Sequence, residues 1–292
     1  MEKNLLISFS GGETSAFMAQ WLQKNAHEHG FTNLVFVYAN TGQENEETLD
    51  FVKKCDEHFK FNTYWVEGVV HHGERKGTTH RLIDFETASR NGEPFEQIIK
   101  KYGIPNQAFP HCTRELKQNP ITSFAKEYFK GEKYWTAIGI RIDEIDRMNA
   151  KRIERRFVYP LIEKSMIPFT KQKVNFFWKN QTFRLNLKGY QGNCVSCWKK
   201  SDPKLYQIAI ENKTAFEFMD KMESKYPRVG AEFLKDETCV DRVFFRGHRT
   251  AKTIIEQSTQ WEGFVRNDAI DYNQQLEMFE SESCEVFSEC GS

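Results

Sequence analysis

Residues 5–15, LLISFSGGETS, constrain the fold more than any other stretch of the chain. Leu5 to Phe9 form a short apolar run, Ser10-Gly11-Gly12 break it, and Phe17, Met18, Trp21 and Leu22 then recur at helical spacing. The pattern predicts a strand, a tight turn and a helix over 14–25. Two glycines allow the backbone to fold closely around a ligand. The N–H groups of such a turn and of the helix start point at an anion. The hydroxyls of Ser10, Thr14 and Ser15 add donors. Together with Glu13 these residues describe a loop suited to phosphate or pyrophosphate. It is not a Walker A loop, which needs a lysine after its last glycine, because no lysine lies between Lys3 and Lys24.

Further along, short apolar runs at 34–39, 61–66 and 134–140 alternate with helical patterns at 44–59 and 114–129. This is the signature of an α/β fold: an open, mostly parallel sheet with helices on both faces and ligands beyond the carboxyl ends of its strands. Residues 67–92, polar and carrying Gly68, Gly73, Gly77 and Gly92, read as a long excursion. Past residue 160 the alternation weakens, with a helix expected at 170–179 and one or two more in 204–226. An acidic tail begins near 268. The expected units are therefore a nucleotide-binding domain at 1–165, a smaller, mainly helical part at 166–267 that bears a cysteine cluster, and a tail at 268–292.

The 292 residues carry 41 basic and 41 acidic side chains, which excludes a bulk electrostatic footprint for nucleic acid. No apolar run approaches a membrane span, and no signal peptide is evident, so the sequence predicts no membrane partner. Seven cysteines, an odd count, argue against a disulfide framework and for a reducing cytoplasm, where clustered thiols bind metal or do chemistry.

Three further clusters bear chemistry. Asn40-Thr41-Gly42 end the second strand, either as a capped strand–helix junction or as part of a nucleotide site. Gly139-Ile140-Arg141 end another strand, and Arg141 could fork onto a phosphate or sulfate. Cys194 and Cys197 form a CxxC, with Cys112 a third thiol just before a helix. Such thiols suit a metal centre or a redox dithiol, and zinc would also accept His111. Cys55 reads as packed core. Five cations lie in 147–156, and helical spacing would place Arg147, Lys151 and Arg155 on one stripe, as a solvated face or a phosphate clamp.

These motifs come in a recognisable order: SGGETS, NTGQENEET, HCTRELK, GIRIDE, YPLIE and GNCVSCWKKS. The series resembles the phosphoadenosine phosphosulfate (PAPS) reductase-like family of the PP-loop, or N-type ATP pyrophosphatase, superfamily. It is similar also to DNA-phosphorothioation sulfurtransferases. The resemblance implies an adenine nucleotide alpha-hydrolase-like fold. Ser10 to Ser15, Asn40, Thr41, Gly42, Gly139 and Arg141 would line its nucleotide site. It also implies a [4Fe–4S] cluster on Cys112, Cys194 and Cys197, with Cys284, Cys239 or an open position completing it. Glu289-Cys290-Gly291 resembles the motif of the family's nucleophilic cysteine, which makes Cys290 a candidate beside Arg141. The expected activity is ATP cleavage at the α-phosphate with Mg²⁺, coupled to sulfur transfer onto a nucleic-acid or small-molecule acceptor from a sulfur or electron donor protein. The alternatives are a PAPS or adenylyl-sulfate reductase and a non-catalytic nucleotide-binding regulator.

Overall fold

The computed structural model describes residues 3–73, 77–233 and 238–271. In chain order the elements are β1 (Lys3–Ser8), α1 (Glu13–Asn25), β2 (Phe31–Asn40), α2 (Glu46–Phe59), β3 (Tyr64–Val70), β4 (Thr78–Ile83) and α3 (Glu93–Tyr102). There follow α4 (Asn119–Tyr128), β5 (Tyr134–Ile138), β6 (Phe157–Val158), α5 (Lys171–Lys179), α6 (Asp202–Glu211), α7 (Glu217–Lys225) and α8 (Ala251–Ser258). The strands form one six-stranded sheet in the order β4-β3-β2-β1-β5-β6. Every pairing is parallel except that of β3 with the edge strand β4.

Alternation along the central strands explains the two covered faces. Leu5 and Ile7 of β1, with Phe36 and Tyr38 of β2, face a core built with α1, α2 and α5. Leu6, Val35, Val37 and Ala39 face the opposite way, onto Phe124 and Ala125 of α4. Cys55 is fully buried in the first of these cores, as expected, and burial raises its thiol pKa. A further apolar core joins Phe95, Ile98 and Ile99 of α3 to α6, α7 and α8.

Two expectations are corrected. Residues 67–92 are not one excursion: β3 continues to Val70 and β4 returns antiparallel, pairing Val70 with Thr78 and Trp65 with Ile83. Its Thr-Thr-His-Arg run at 78–81 is polar because β4 is a sheet edge. The buried carboxylate of Glu67 secures the return, accepting from Asn40 Nδ2 at 2.7 Å, Ser89 N at 2.7 Å and Arg81 Nη2 at 2.6 Å. Nor do residues 147–156 form a helix. A 3₁₀ turn ends at Arg147, successive turns follow, and Arg156 takes φ 54° to feed β6. The stripe of Arg147, Lys151 and Arg155 therefore does not exist.

In the C-terminal core, Glu223 of α7 accepts from Phe244 N at 3.0 Å and Ala251 N at 2.8 Å. Burial, against the pull of those two donors, pushes its pKa up to about 7. The folded protein thus keeps this proton to about pH 7, whereas an unfolded chain releases it near 4.5. The stabilisation is complete below pH 4.5 and is lost as pH rises through 7. Denaturant midpoints between pH 4.5 and 7.5 should fall less steeply for Glu223→Gln than for the wild type, even though the amide lowers absolute stability by roughly 1–3 kcal/mol by facing a backbone N–H. Equal slopes would refute the assignment.

Candidate active site

The chain runs β1, β2, β3 in one direction across the sheet and then returns to the far side of β1 with β5. The switch point lies between β1 and β5, where the loops leaving the two strands diverge and open a crevice. A cavity of about 550 Å³ occupies this place. Ser10, Gly12, Thr14 and Ser15 line one side, and Gly139 and Arg141 the other.

The Gly loop is held from within. Ser15 Oγ receives Ser10 N at 3.1 Å and Ser10 Oγ at 3.0 Å, and donates to Gly12 O at 2.9 Å. Gly11 has φ 81°, and a Cβ there would lie 2.6 Å from Thr48 Cγ2. No side chain caps α1, so its first N–H groups face the cavity. Gly139 is needed for a different reason: a Cβ would sit 3.1 Å from Ser15 Cα, so only glycine lets the end of β5 approach α1 this closely.

Arg141 spans the crevice. Its Nη1 donates to Thr14 Oγ1 at 3.0 Å and pairs with Glu144 at 3.2 Å, while Nε and Nη2 hold Asp143. Arg147 and Lys171 add positive charge at the same cavity. Glu13 is turned away from solvent: Arg184 grips its carboxylate through Nε and Nη2, each at 3.0 Å, and Leu185 N adds a third donor. Burial nevertheless raises the Glu13 pKa, against the pull of Arg184.

The far wall comes from a distant segment. Asn175 Nδ2 donates to Asp268 O at 2.9 Å and Asp271 O at 2.7 Å, Arg184 Nη2 to Ala269 O at 2.8 Å, and Gly189 N to Asn267 Oδ1 at 2.8 Å. Local pattern gave no sign of Asn175, Arg184 or this strap, because each acts across a long chain separation.

Asn40, Thr41 and Gly42 do not line the cavity. Asn40 is fully buried, giving its amide to Glu67 and to Ser89 O and accepting from Gly42 N. Thr41 Oγ1 donates to Glu44 Oε1 at 3.1 Å. This loop instead carries the CxxC segment: Glu44 and Cys194 form an antiparallel bridge, Val195 N donates to Gln43 O at 3.0 Å, and Asn45 N donates to Asn193 O at 2.7 Å. Asn193, which the sequence reading passed over, completes the link, its Nδ2 donating to Ser10 O at 2.5 Å. The CxxC loop is thereby hooked directly to the Gly loop.

The thiols of Cys194 and Cys197 act on each other. That interaction and burial raise the Cys194 thiol. The same interaction lowers Cys197 to about 6, helped by Lys200 and Lys199 against the effect of burial. Lys117 lies 3.1 Å from buried Glu44; burial opposes its charge, but Glu44 and the two sulfurs outweigh it and raise its pKa. Cys112 packs against the C-terminal core. Among the described residues, no three His, Cys, Asp or Glu side chains converge as a metal-holding group, so the expected meeting of Cys112, Cys194 and Cys197 at one centre is not formed there. Cys239 is a free thiol, and Cys284 and Cys290 lie outside the described residues.

Residues 4–160 match the phosphoadenosine phosphosulfate reductase domain. The chain belongs to that family. Its sheet order and its Gly loop at the switch point follow the α/β architecture that the family resemblance implied. The chain is also similar to an uncharacterized nin region protein of Escherichia phage lambda, with 28% identity covering 97% of this chain and 94% of that protein. An uncharacterized protein of Methanocaldococcus jannaschii is 24% identical over 53% of this chain, which spans 26% of that longer protein.

Two outcomes check this geometry. Gly139→Ala should drive β5 away from α1 and weaken nucleotide binding about tenfold or more, read by calorimetry, with far-ultraviolet circular dichroism unchanged. In metal-free protein, iodoacetamide should modify Cys197 before Cys194, with half-maximal rate near pH 6, by peptide mass mapping. Preferential labelling of Cys194 would reverse the assignment.

Proposed function

We propose that this PAPS reductase-family protein binds ATP in the crevice between β1 and β5 and cleaves it at the α-phosphate. The observation that carries the reading is the convergence there of an uncapped helix start, a glycine loop with free N–H groups, and Arg141. Pyrophosphate is the natural occupant of the Gly11–Thr14 turn. Its departure leaves the α-phosphorus joined to an acceptor oxygen, with Arg141 neutralising charge on the phosphoryl oxygens. Mg²⁺ carried on the nucleotide would offset the remaining phosphate charge. Glu13 serves by position, since its bond to Arg184 fixes the first turn of α1 to the chain behind it.

Sulfur transfer is the coupled step in this reading. The Cys194–Cys197 pair, tied to the phosphate loop through Asn193, is the thiol chemistry nearest the nucleotide. The described residues do not supply the ligand set of an iron–sulfur or zinc centre, and no step is drawn through one.

One observation favours a second reading, a sulfonucleotide reductase. The last described residues, up to Asp271, wall the crevice, and the chain that bears Cys284 and Cys290 continues from that wall. In this reading the Cys290 thiolate attacks the sulfate sulfur, the nucleoside phosphate leaves with the bridging oxygen, and a thiol of a dithiol reductant then displaces sulfite from the resulting S-sulfocysteine as a disulfide forms.

Calorimetric titration of anaerobically purified protein with ATP–Mg²⁺ and, separately, with PAPS separates the two. Tight ATP binding with little response to PAPS supports adenylation; the reverse supports reduction. In either case Arg141→Ala should weaken the preferred nucleotide by roughly ten- to a hundredfold, the scale of a charge-assisted hydrogen bond. Binding of neither nucleotide would overturn both.

A further inference from the structure

A second cavity, of about 430 Å³, lies apart from the crevice, between the end of α3 and the segment that enters α4. Its walls are Tyr102, Phe109 and Pro110. Arg242, itself 7% exposed, forms part of the floor, held to Glu232 and to Tyr102 O and lying 3.7 Å from the Phe109 ring centroid. The placement is built: Gly103 and Gly230, both at positive φ, leave the space that this guanidinium fills. His111 completes the floor. Its Nε2 is buried with no hydrogen-bond partner among the described residues.

The rim is cationic. Arg114 gives only Nε to Glu115, at 2.7 Å; its terminal nitrogens carry no partner among the described residues. Lys101 stands at the same rim, its Nζ already donating to His71 O and lying 5.0 Å from the Tyr102 ring centroid. The acids facing this space, Glu232 and Glu115, are both already paired with arginine. Phe109 is 39% exposed, and its ring borders the opening. An exposed aromatic ring and unpaired guanidinium nitrogens at its edge match a flat base with a phosphate attached. In a chain whose overall charge is balanced, such a local arrangement is informative.

A neighbouring cleft repeats the theme. It is lined by Gln107, Trp198, Lys199 and Arg246, and Lys199 reaches across to Thr113 Oγ1 at 3.1 Å. We propose that the His111–Arg114 cavity binds one nucleotide unit, its base against Phe109 and Tyr102 and its phosphate on the terminal nitrogens of Arg114. The unit is either a free mononucleotide or one residue of a single strand. The site is separate from the β1–β5 crevice and does not depend on what that crevice binds.

The test uses full-length protein and two probes whose fluorescence is quenched by stacking. They are 2-aminopurine riboside 5′-monophosphate and a short single-stranded oligonucleotide with 2-aminopurine at its centre. The expected result is saturable quenching that persists in Arg141→Ala and weakens about tenfold in both Arg114→Gln and Phe109→Leu. Thermal melts of the variants check that the fold is intact. Quenching of the monophosphate alone identifies a free nucleotide as the ligand, whereas tighter quenching of the strand identifies a polymer. Absence of saturable quenching with either probe overturns the proposal. So does quenching that disappears in Arg141→Ala and survives in Arg114→Gln and Phe109→Leu. Failure of the crevice to bind ATP would leave this readout unchanged.

Discussion

The close approach of β5 to the first turn of α1 is the contact on which the site depends. Gly139 makes it possible, and the parallel pairing of β1 with both β2 and β5 makes it rigid. Because neighbouring strands fix the two loop origins, Arg141 needs no movement to reach Thr14. The Gly loop then closes on its own serines, Ser10 donating through its N–H and hydroxyl to Ser15. The loop's backbone is thus set in place before any ligand arrives, which lowers the ordering cost of binding.

A second layer of organisation ties chemistry to that surface. Asn193 joins the CxxC loop to Ser10, while Gln43 and Glu44 hold the same loop from β2's side. Asn40 and Thr41 belong to this scaffold and not to the cavity wall. Asn40 joins Glu67 to Ser89, and Thr41 bonds Glu44, whose backbone bridges Cys194. Glu67 plays the equivalent part at the sheet edge, where a fully buried carboxylate is tolerable only because amide, guanidinium and backbone donors surround it.

Much of this was legible in the sequence, and for physical reasons. The central strands are buried on both faces and read as apolar runs, and Gly11 and Gly12 punctuate the first of them. Arg141 stood out because it follows a strand end. β4 was hidden because an edge strand has one polar face and no apolar run. Residues 147–156 misled because charge spacing mimics a helix, whereas the left-handed Arg156 and the demands of β6 turn the chain instead. Asn193, Arg184 and Asn175 carry no local signature; their partners lie far away in the chain. The thiols were recognisable as chemistry, but spacing alone does not say which of them meet, and among the described residues it is Cys194 and Cys197 that do.

The strap formed by Asn267, Asp268, Ala269 and Asp271 has a consequence for how the molecule is assembled. In the order of synthesis, the phosphate loop leaves the ribosome early and its opposite wall follows only after the whole helical region has emerged. The sheet can be complete while the crevice still lacks one side. A nascent chain would therefore hold a crevice open on one side, which closes late, when the strap docks on Asn175 and Arg184.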